Sequence, residues 1–150
     1  MSSPSKSSLG APVSGVPRIR TVLVDDLSQV RQAIEILLRR SGRFEVVGHA
    51  EDGSSGVTLV SKLKPDLVIM DIQMPVKNGI EATRTIKQQP GAPCIVIVSS
   101  AGARSAREAL AAGADGFCDK QNVFSDLLPR ILALFPPPAG AGPGRPERAT

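Results

Sequence analysis

The sequence predicts an α/β fold in which helices cover both faces of a five-stranded parallel sheet. Strand-like apolar runs alternate strictly with helical patterns, five times along the chain. The run Cys94–Val98 (CIVIV) is apolar at every position, as expected for a strand buried on both faces. The chain has 150 residues, of which 41% are hydrophobic. That length accommodates one domain with a substantial core.

The first two units show the alternation clearly. Ile19–Val24 is a β-rich run that ends at two aspartates, and Ser28–Arg40 has apolar residues at helical spacing before Ser41-Gly42 stops it. Phe44–Gly48 is a short strand, and Gly53–Leu63 is a helix with Val57, Val60 and Leu63 on one side.

The remaining units follow the same pattern. Pro65 precedes the third strand, and Gly113 closes an Ala-rich fourth helix. The predicted strands are Asp66–Met70, Cys94–Val98 and Asp115–Cys118, and the predicted helices are Gly79–Gln88, Ala103–Ala112 and Val123–Phe135. Because crossovers between parallel strands are right-handed, few topologies remain, and the flavodoxin-like order 2-1-3-4-5 is the natural one. In such sheets ligands bind beyond the carboxyl ends of the strands, at the switch point between strands 1 and 3.

Both ends of the chain have the composition of disordered arms. Residues 1–17 are rich in Ser, Pro and Gly, and residues 136–150 form a Pro/Gly/Ala tail or linker, which leaves 18–135 as the folded domain. Lys6, Arg145 and Arg148 lie in these arms, so the net charge of +4 belongs partly to them. Without a long basic run, and with only 3% aromatic residues, we expect no DNA binding by this chain.

The sequence indicates a cytoplasmic protein. It has no apolar stretch long enough to span a membrane, and its N-terminus lacks the apolar segment of a secretory signal. Cys94 and Cys118 are not in Cys-x-x-Cys spacing and are predicted to be buried thiols, since a disulfide is improbable at their separation of roughly 10 Å. His49, the single histidine, is expected to be solvated and without a catalytic role.

Polar residues follow four of the predicted strands at their carboxyl ends. They are Asp25-Asp26, Asp71, Ser99-Ser100 and Asp119-Lys120. One such residue alone is usually a turn former, a helix cap or a solvated charge. Four together favour a site where Mg²⁺ offsets the repulsion among the carboxylates, because oxygen ligands suit this ion. A phosphoryl group next to the ion, Lys120 and Ser99 would be positioned and neutralised for transfer, and a carboxylate can be the nucleophile.

At these residues the sequence resembles the receiver domains of bacterial two-component response regulators. The resemblance covers about residues 19–135. It is carried by four motifs in the order and spacing of that family, namely VLVDD (22–26), DLVIMDIQMPVKNG (66–79), IVIVSSAG (95–102) and ALAAGADGFCDK (109–120).

The resemblance implies a role for each matching residue. Asp71 would accept the phosphoryl group. Mg²⁺ would be bound directly by Asp26, Asp71 and the backbone carbonyl of Gln73, and by Asp25 either directly or through water. Lys120 would pair with the phosphoryl oxygens. Ser99 would move toward the phosphoryl group, and the ring of Phe117 would then turn inward and remodel the face made by helix 4, strand 5 and helix 5.

The chain departs from the family at a few positions. Gln121 follows the lysine where many receivers have proline, which makes a cis peptide there less favoured. Gln73 and Ala101 occupy positions that modulate dephosphorylation in the family. The segment FEVVGHAEDG (44–53) most resembles receivers joined to helix-turn-helix DNA-binding domains.

Three functions are compatible with these motifs. The leading prediction is a stand-alone phosphorylation switch, not a metabolic enzyme, that receives its phosphoryl group from a histidine kinase or phosphotransfer protein. It would bind a downstream protein, with homodimerisation through the face of helix 4, strand 5 and helix 5 as a further possibility. The alternative is the receiver portion of a DNA-binding transcriptional regulator truncated after its linker. A haloacid dehalogenase-type phosphatase ranks low, because its nucleophile opens the chain in Asp-x-Asp, whereas here the acidic pair precedes Asp71.

Overall fold

A computed structural model describes residues 16–137, so most of the two predicted arms lies outside the described residues. Five parallel strands form one sheet in the order β2-β1-β3-β4-β5, which confirms the predicted topology. The strands are β1 (Ile19–Val24), β2 (Phe44–Ala50), β3 (Leu67–Met70), β4 (Cys94–Ser99) and β5 (Gly116–Asp119). The helices are α1 (Ser28–Ser41), α2 (Gly53–Leu63), α3 (Gly79–Lys87), α4 (Ala103–Ala111) and α5 (Leu128–Leu134).

The core consists of two apolar layers, one on each face of the sheet. Leu23 and Ile69 point to the layer that α1 and α5 cover, where they meet Leu38 and Ile131. Their strand neighbours point the other way, to the layer covered by α2, α3 and α4. The central strands are therefore buried on both sides, which explains why β3 and β4 are apolar at nearly every position.

The strand register decides which residues leave the sheet side by side. Val24 of β1 pairs with Met70 of β3, so the next residues, Asp25 and Asp71, emerge next to each other. Ser99 of β4 pairs with Asp119 of β5, the residue before Lys120. The carboxyl edge of the sheet thus collects the polar residues that follow the strands.

The connection from β3 to α3 is held by close backbone packing. Asn78 and Glu81 form a reciprocal capping box at the start of α3. A Cβ on Gly79 would lie 2.0 Å from the carbonyl oxygen of Asp71, so only glycine fits there. Val76 has a left-handed backbone (φ 71°) and is 82% exposed, a strained position in the same loop.

The last helical segment differs from the single helix predicted over 123–135. A 3₁₀ turn (Lys120–Asn122) and a π turn (Val123–Leu127) precede α5. Pro129 has no N–H to donate to the carbonyl of Ser125, and its ring would collide with that carbonyl in a regular α-helix. The wider π turn lies where this collision would occur. The periodicity of the apolar residues does not reveal this change, because Leu127 and Ile131, four residues apart, are both buried, which is also the pattern expected on one face of a regular α-helix.

Three smaller predictions can also be compared with the structure. Cys94 and Cys118 are both free thiols, as expected, but only Cys118 is buried, whereas Cys94 is half-buried at the start of β4. No cis peptide bond occurs within residues 16–137, including the bond that follows Lys120. Over the same residues, none of the helices has the length and apolarity that crossing a membrane requires.

Candidate functional site

Three carboxylates converge at the carboxyl edge of the sheet, between β1 and β3. One oxygen from each of Asp25, Asp26 and Asp71 lies within 4.8 Å of the others. Asp25 and Asp71 are only 4% and 6% exposed, whereas Asp26 is exposed. The sequence prediction that these residues meet at the switch point agrees with this geometry.

Backbone hydrogen bonds fix the two buried aspartates. The N–H of Asp25 donates to the carbonyl of Ala50 (3.0 Å), and its Oδ1 accepts from the N–H of Leu27 (2.9 Å). In the same way, the N–H of Asp71 donates to the carbonyl of Val24 (3.0 Å), and its Oδ1 accepts from the N–H of Ile72 (2.8 Å). Each side chain therefore has one oxygen held by the backbone and a second, Oδ2, turned toward the pocket.

Lys120 places its ammonium group between these two Oδ2 atoms. Its Nζ lies 3.3 Å from Asp25 Oδ2 and 3.2 Å from Asp71 Oδ2. Burial lowers the pKa of Lys120, but the charges of Asp71 and Asp25 outweigh this effect and raise the pKa above its usual range. The lysine is therefore a permanent cation at the base of the acidic pocket.

Asp25 remains electrostatically unfavourable despite these partners. Burial raises the pKa of Asp25, and the neighbouring Asp71 raises it further, while the Leu27 N–H and Lys120 lower it only in part. Three carboxylates facing one ammonium leave an excess of negative charge. Mg²⁺ would balance this excess, since it takes few protein ligands and prefers carboxylate oxygens. The donor set of the pocket therefore fits this ion.

The other predicted site residues lie around the pocket at different depths. Ser99 is fully buried at the end of β4, and its Oγ accepts a hydrogen bond from the N–H of Ala101 (3.2 Å). Phe117 of β5 is partly buried against the core layer of α2, α3 and α4. Gln73 is exposed in the loop after β3, two residues beyond Asp71.

Arg31 is a site residue that the sequence did not reveal. It lies in the first turn of α1, and its Nη1 donates to the backbone carbonyl of Asp25. Its Nε donates to Nδ1 of His49 (3.1 Å). His49 is exposed, as expected, and this hydrogen bond gives it a partner that the sequence did not indicate. The signal available in the sequence was weak, because an arginine on an amphipathic helix is most often a surface charge.

Comparisons with known proteins agree with this fold and pocket. The family model described as "Response regulator receiver domain" matches residues 21–132. The fold and the acidic pocket define a doubly wound α/β domain with a polar site at the switch point. With the family match, they show that the chain belongs to the response regulator receiver domain family, a family of two-component signalling domains. The haloacid dehalogenase alternative is thereby discarded.

Individual relatives share the domain but are longer proteins. A protein-glutamate methylesterase/protein-glutamine glutaminase of Alkalilimnicola ehrlichii is 36% identical, over 86% of this chain and 35% of that protein. The transcriptional regulatory protein PdtaR of Mycobacterium tuberculosis is 37% identical, over 79% of this chain and 57% of that protein. Thus the chain spans about a third to just over half of these relatives.

A solved structure shows the same architecture. The response regulator domain of Thermotoga maritima CheB is 34% identical to this chain and superposes with a TM-score of 0.70. The superposition covers 78% of this chain and 92% of that domain. The similarity therefore concerns the receiver domain as a whole and is not limited to the pocket.

Proposed function

We propose that this chain is a phosphorylation-dependent switch in which Asp71 accepts a phosphoryl group from a histidine kinase or phosphotransfer protein. The observation that carries the proposal is the pocket itself: a buried carboxylate beside a lysine, with two further carboxylates within 4.8 Å. A surplus of negative charge is stable there only if a cation joins it, and a phosphoryl group can then be accommodated next to that cation.

The roles of the pocket residues follow from their positions. A carboxylate oxygen of Asp71 would form a bond to phosphorus while the donor's phosphorus–nitrogen bond breaks, which gives an acyl phosphate. Lys120, already 3.2 Å from Asp71, would pair with the phosphoryl oxygens. Mg²⁺, when bound, supplies charge neutralisation, and we assign it to Asp25, Asp26, Asp71 and the backbone carbonyl of Gln73.

Ser99 and Phe117 would transmit the change to the surface. The Ser99 Oγ accepts a hydrogen bond from the N–H of Ala101, so its own O–H remains a donor, and the negative charge of a phosphoryl group on Asp71 would attract it. Phe117 is only partly buried and packs against the core layer of α2, α3 and α4, and we propose that its ring turns inward when Ser99 moves. We propose that the affected face, formed by α4, β5 and α5, binds a downstream protein or a second copy of the chain. We also propose that the protein acts in the cytoplasm as a stand-alone receiver.

The acceptor assignment is tested by intact-mass measurement after incubation with Mg²⁺ and acetyl phosphate. The wild-type chain should gain the mass of one phosphoryl group, and the gain should disappear when the metal is chelated. Asp71→Asn should show no gain. Asp66→Asn is a matched control, because it removes the same group five residues earlier, at the opposite edge of the sheet. Unmodified wild-type protein, or a gain that persists in Asp71→Asn, would refute the proposal.

A second candidate is the receiver portion of a longer DNA-binding regulator. The observation that favours it is that the chain spans only 57% of PdtaR, a relative described as a transcriptional regulatory protein. The reading frame beyond Thr150 distinguishes the candidates. A stop codon supports the stand-alone switch, whereas a continuing frame that encodes a helix-turn-helix domain supports the longer regulator.

A further inference from the structure

A row of charged side chains connects the outer surface of the molecule to the acidic pocket. Arg31, Glu35 and Arg39 are spaced four residues apart on α1 and so lie along one side of this helix. His49, on the edge strand β2, lies between two of them, within hydrogen-bond distance of Arg31 and Glu35. The row ends at Arg31, whose Nη1 donates to the carbonyl of Asp25.

The hydrogen bonds in this row have a defined direction. Because arginine has only donors, Nε of Arg31 donates and Nδ1 of His49 accepts (3.1 Å). The ring hydrogen is then on Nε2, which donates to Glu35 Oε1 (2.8 Å). The other oxygen of Glu35 accepts from Arg39 Nη2 (2.6 Å). The guanidinium of Arg31 is thus bound by His49 through Nε and by the Asp25 carbonyl through Nη1, so it cannot rotate freely.

The carbonyl of Asp25 is the backbone group that Arg31 controls. The N–H of Asp25 is bound to Ala50, and its Oδ1 is bound to the N–H of Leu27. Arg31 adds the third restraint, on the peptide group that joins Asp25 to Asp26. The orientation of this peptide decides where the Asp26 side chain points, and Asp26 is the exposed member of the carboxylate group.

We propose that Arg31, held by His49 and Glu35, is a positioning residue for the acidic pocket. It fixes the Asp25–Asp26 peptide so that both carboxylates face a divalent cation. Without it the buried carbonyl of Asp25 loses its donor, and the peptide can rotate. Partners that orient metal ligands typically change metal affinity by about 10-fold to 100-fold when they are removed. The inference rests on the proposed magnesium site but not on phosphoryl transfer.

The test is a Mg²⁺ titration of ¹⁵N-labelled protein, followed through the amide signals of the loop after β1. Arg31→Gln should raise the Kd for Mg²⁺ by about tenfold. Arg31→Lys should retain part of the affinity, since one donor can still reach the Asp25 carbonyl. Arg40→Gln is the control, because it removes the same charge from an exposed position on the same helix and should leave the Kd unchanged.

Two additional variants separate the ways in which the proposal could fail. Asp26→Asn should abolish specific Mg²⁺ binding, and if it does not, the proposed metal site itself is wrong. His49→Phe removes the ring nitrogens that hold Arg31 and should weaken binding less than Arg31→Gln does. If Arg31→Gln does not fold, then Arg31→Lys and His49→Phe carry the test.

A purely structural role for Arg31 predicts a different result. The urea midpoint would fall while the Kd for Mg²⁺ stayed within twofold of the wild-type value. That outcome, with binding abolished in Asp26→Asn, would overturn the inference. An increase in the Kd without a matching loss of stability in the metal-free protein would support it.

Discussion

The two edges of the sheet contain the same types of charged residue in different balance. At the amino edge, Asp66 accepts a hydrogen bond from the N–H of Arg20 (2.9 Å). Asp115 accepts from the N–H of Ile95 (2.8 Å) and forms an ion pair with Lys87 (2.8 Å). Asp115 is paired with a cation, Asp66 is bound by a backbone N–H, and among the described residues neither is clustered with two further carboxylates, so this edge can be purely structural.

At the carboxyl edge the negative charges outnumber the positive charge beside them. The ammonium group of Lys120 pairs with the two buried carboxylates, Asp25 and Asp71, and Asp26 adds a third carboxylate to the group. An aspartate next to a strand is therefore not informative by itself. What distinguishes a functional edge from a structural one is the excess of one charge, which the structure leaves for a ligand to neutralise.

The largest expected effect comes from backbone packing beneath the functional edge. Gly79→Ala would place a methyl group 2.0 Å from the Asp71 carbonyl oxygen, and backbone on both sides would have to move. We expect a loss of about 3 kcal/mol in the free energy of unfolding, together with loss of Asp71 phosphorylation. Urea unfolding and the intact-mass assay measure the two effects.

The matched control for this variant lies at the opposite edge. A Cβ on Gly116, at the start of β5, would meet Val96 at 3.6 Å, which is an ordinary contact. Gly116→Ala should therefore change the free energy of unfolding by less than about 1 kcal/mol and should retain phosphorylation. Equal losses of unfolding free energy in Gly79→Ala and Gly116→Ala would show that the close backbone packing at Asp71 does not limit the residue at position 79.

A smaller effect follows when the lysine of each edge is removed. Lys120→Met leaves the three carboxylates without their cation, so the free energy of unfolding should fall by about 2 kcal/mol without metal, and Mg²⁺ should restore part of it. Lys87→Met breaks a partly exposed pair and should cost about 1 kcal/mol or less, with no response to Mg²⁺. Urea titrations with Mg²⁺ and with a chelator measure both, and a Mg²⁺-independent loss in Lys120→Met would contradict the charge-excess argument.

Most of the fold could be predicted because local pattern and topology agree. Five apolar strands in alternation with helices admit one natural strand order, and the structure has that order. The carboxylate group could also be predicted, since the carboxyl ends of parallel strands meet at one edge. Boundaries were less accurate. For example, β5 begins at Gly116 and not at Asp115, whose side chain instead binds the N–H of Ile95.

The remaining features depend on contacts between segments far apart in sequence. The π turn before α5 requires knowing how Pro129 is accommodated inside a packed helix. The role of Arg31 requires that α1, β2 and the loop after β1 come together, because His49 lies 18 residues away along the chain. Apolar periodicity contains information about burial but not about the partner of an individual polar atom.

The smallest expected change in the free energy of unfolding gives the clearest contrast. Replacing one aspartate by asparagine should stabilise the protein at the carboxyl edge and destabilise it at the amino edge. Folding raises the pKa of Asp25, chiefly through burial, so its ionised form is less stable in the folded than in the unfolded chain at neutral pH. Asp25→Asn should therefore stabilise the metal-free protein by about 1 kcal/mol and should abolish stabilisation by Mg²⁺. Asp115→Asn removes a carboxylate that is paired with Lys87 and should destabilise the protein by up to about 1 kcal/mol. Thermal or urea unfolding of the two variants, with and without Mg²⁺, measures both changes. If both substitutions destabilise the protein, the carboxyl edge has no more excess negative charge than the amino edge.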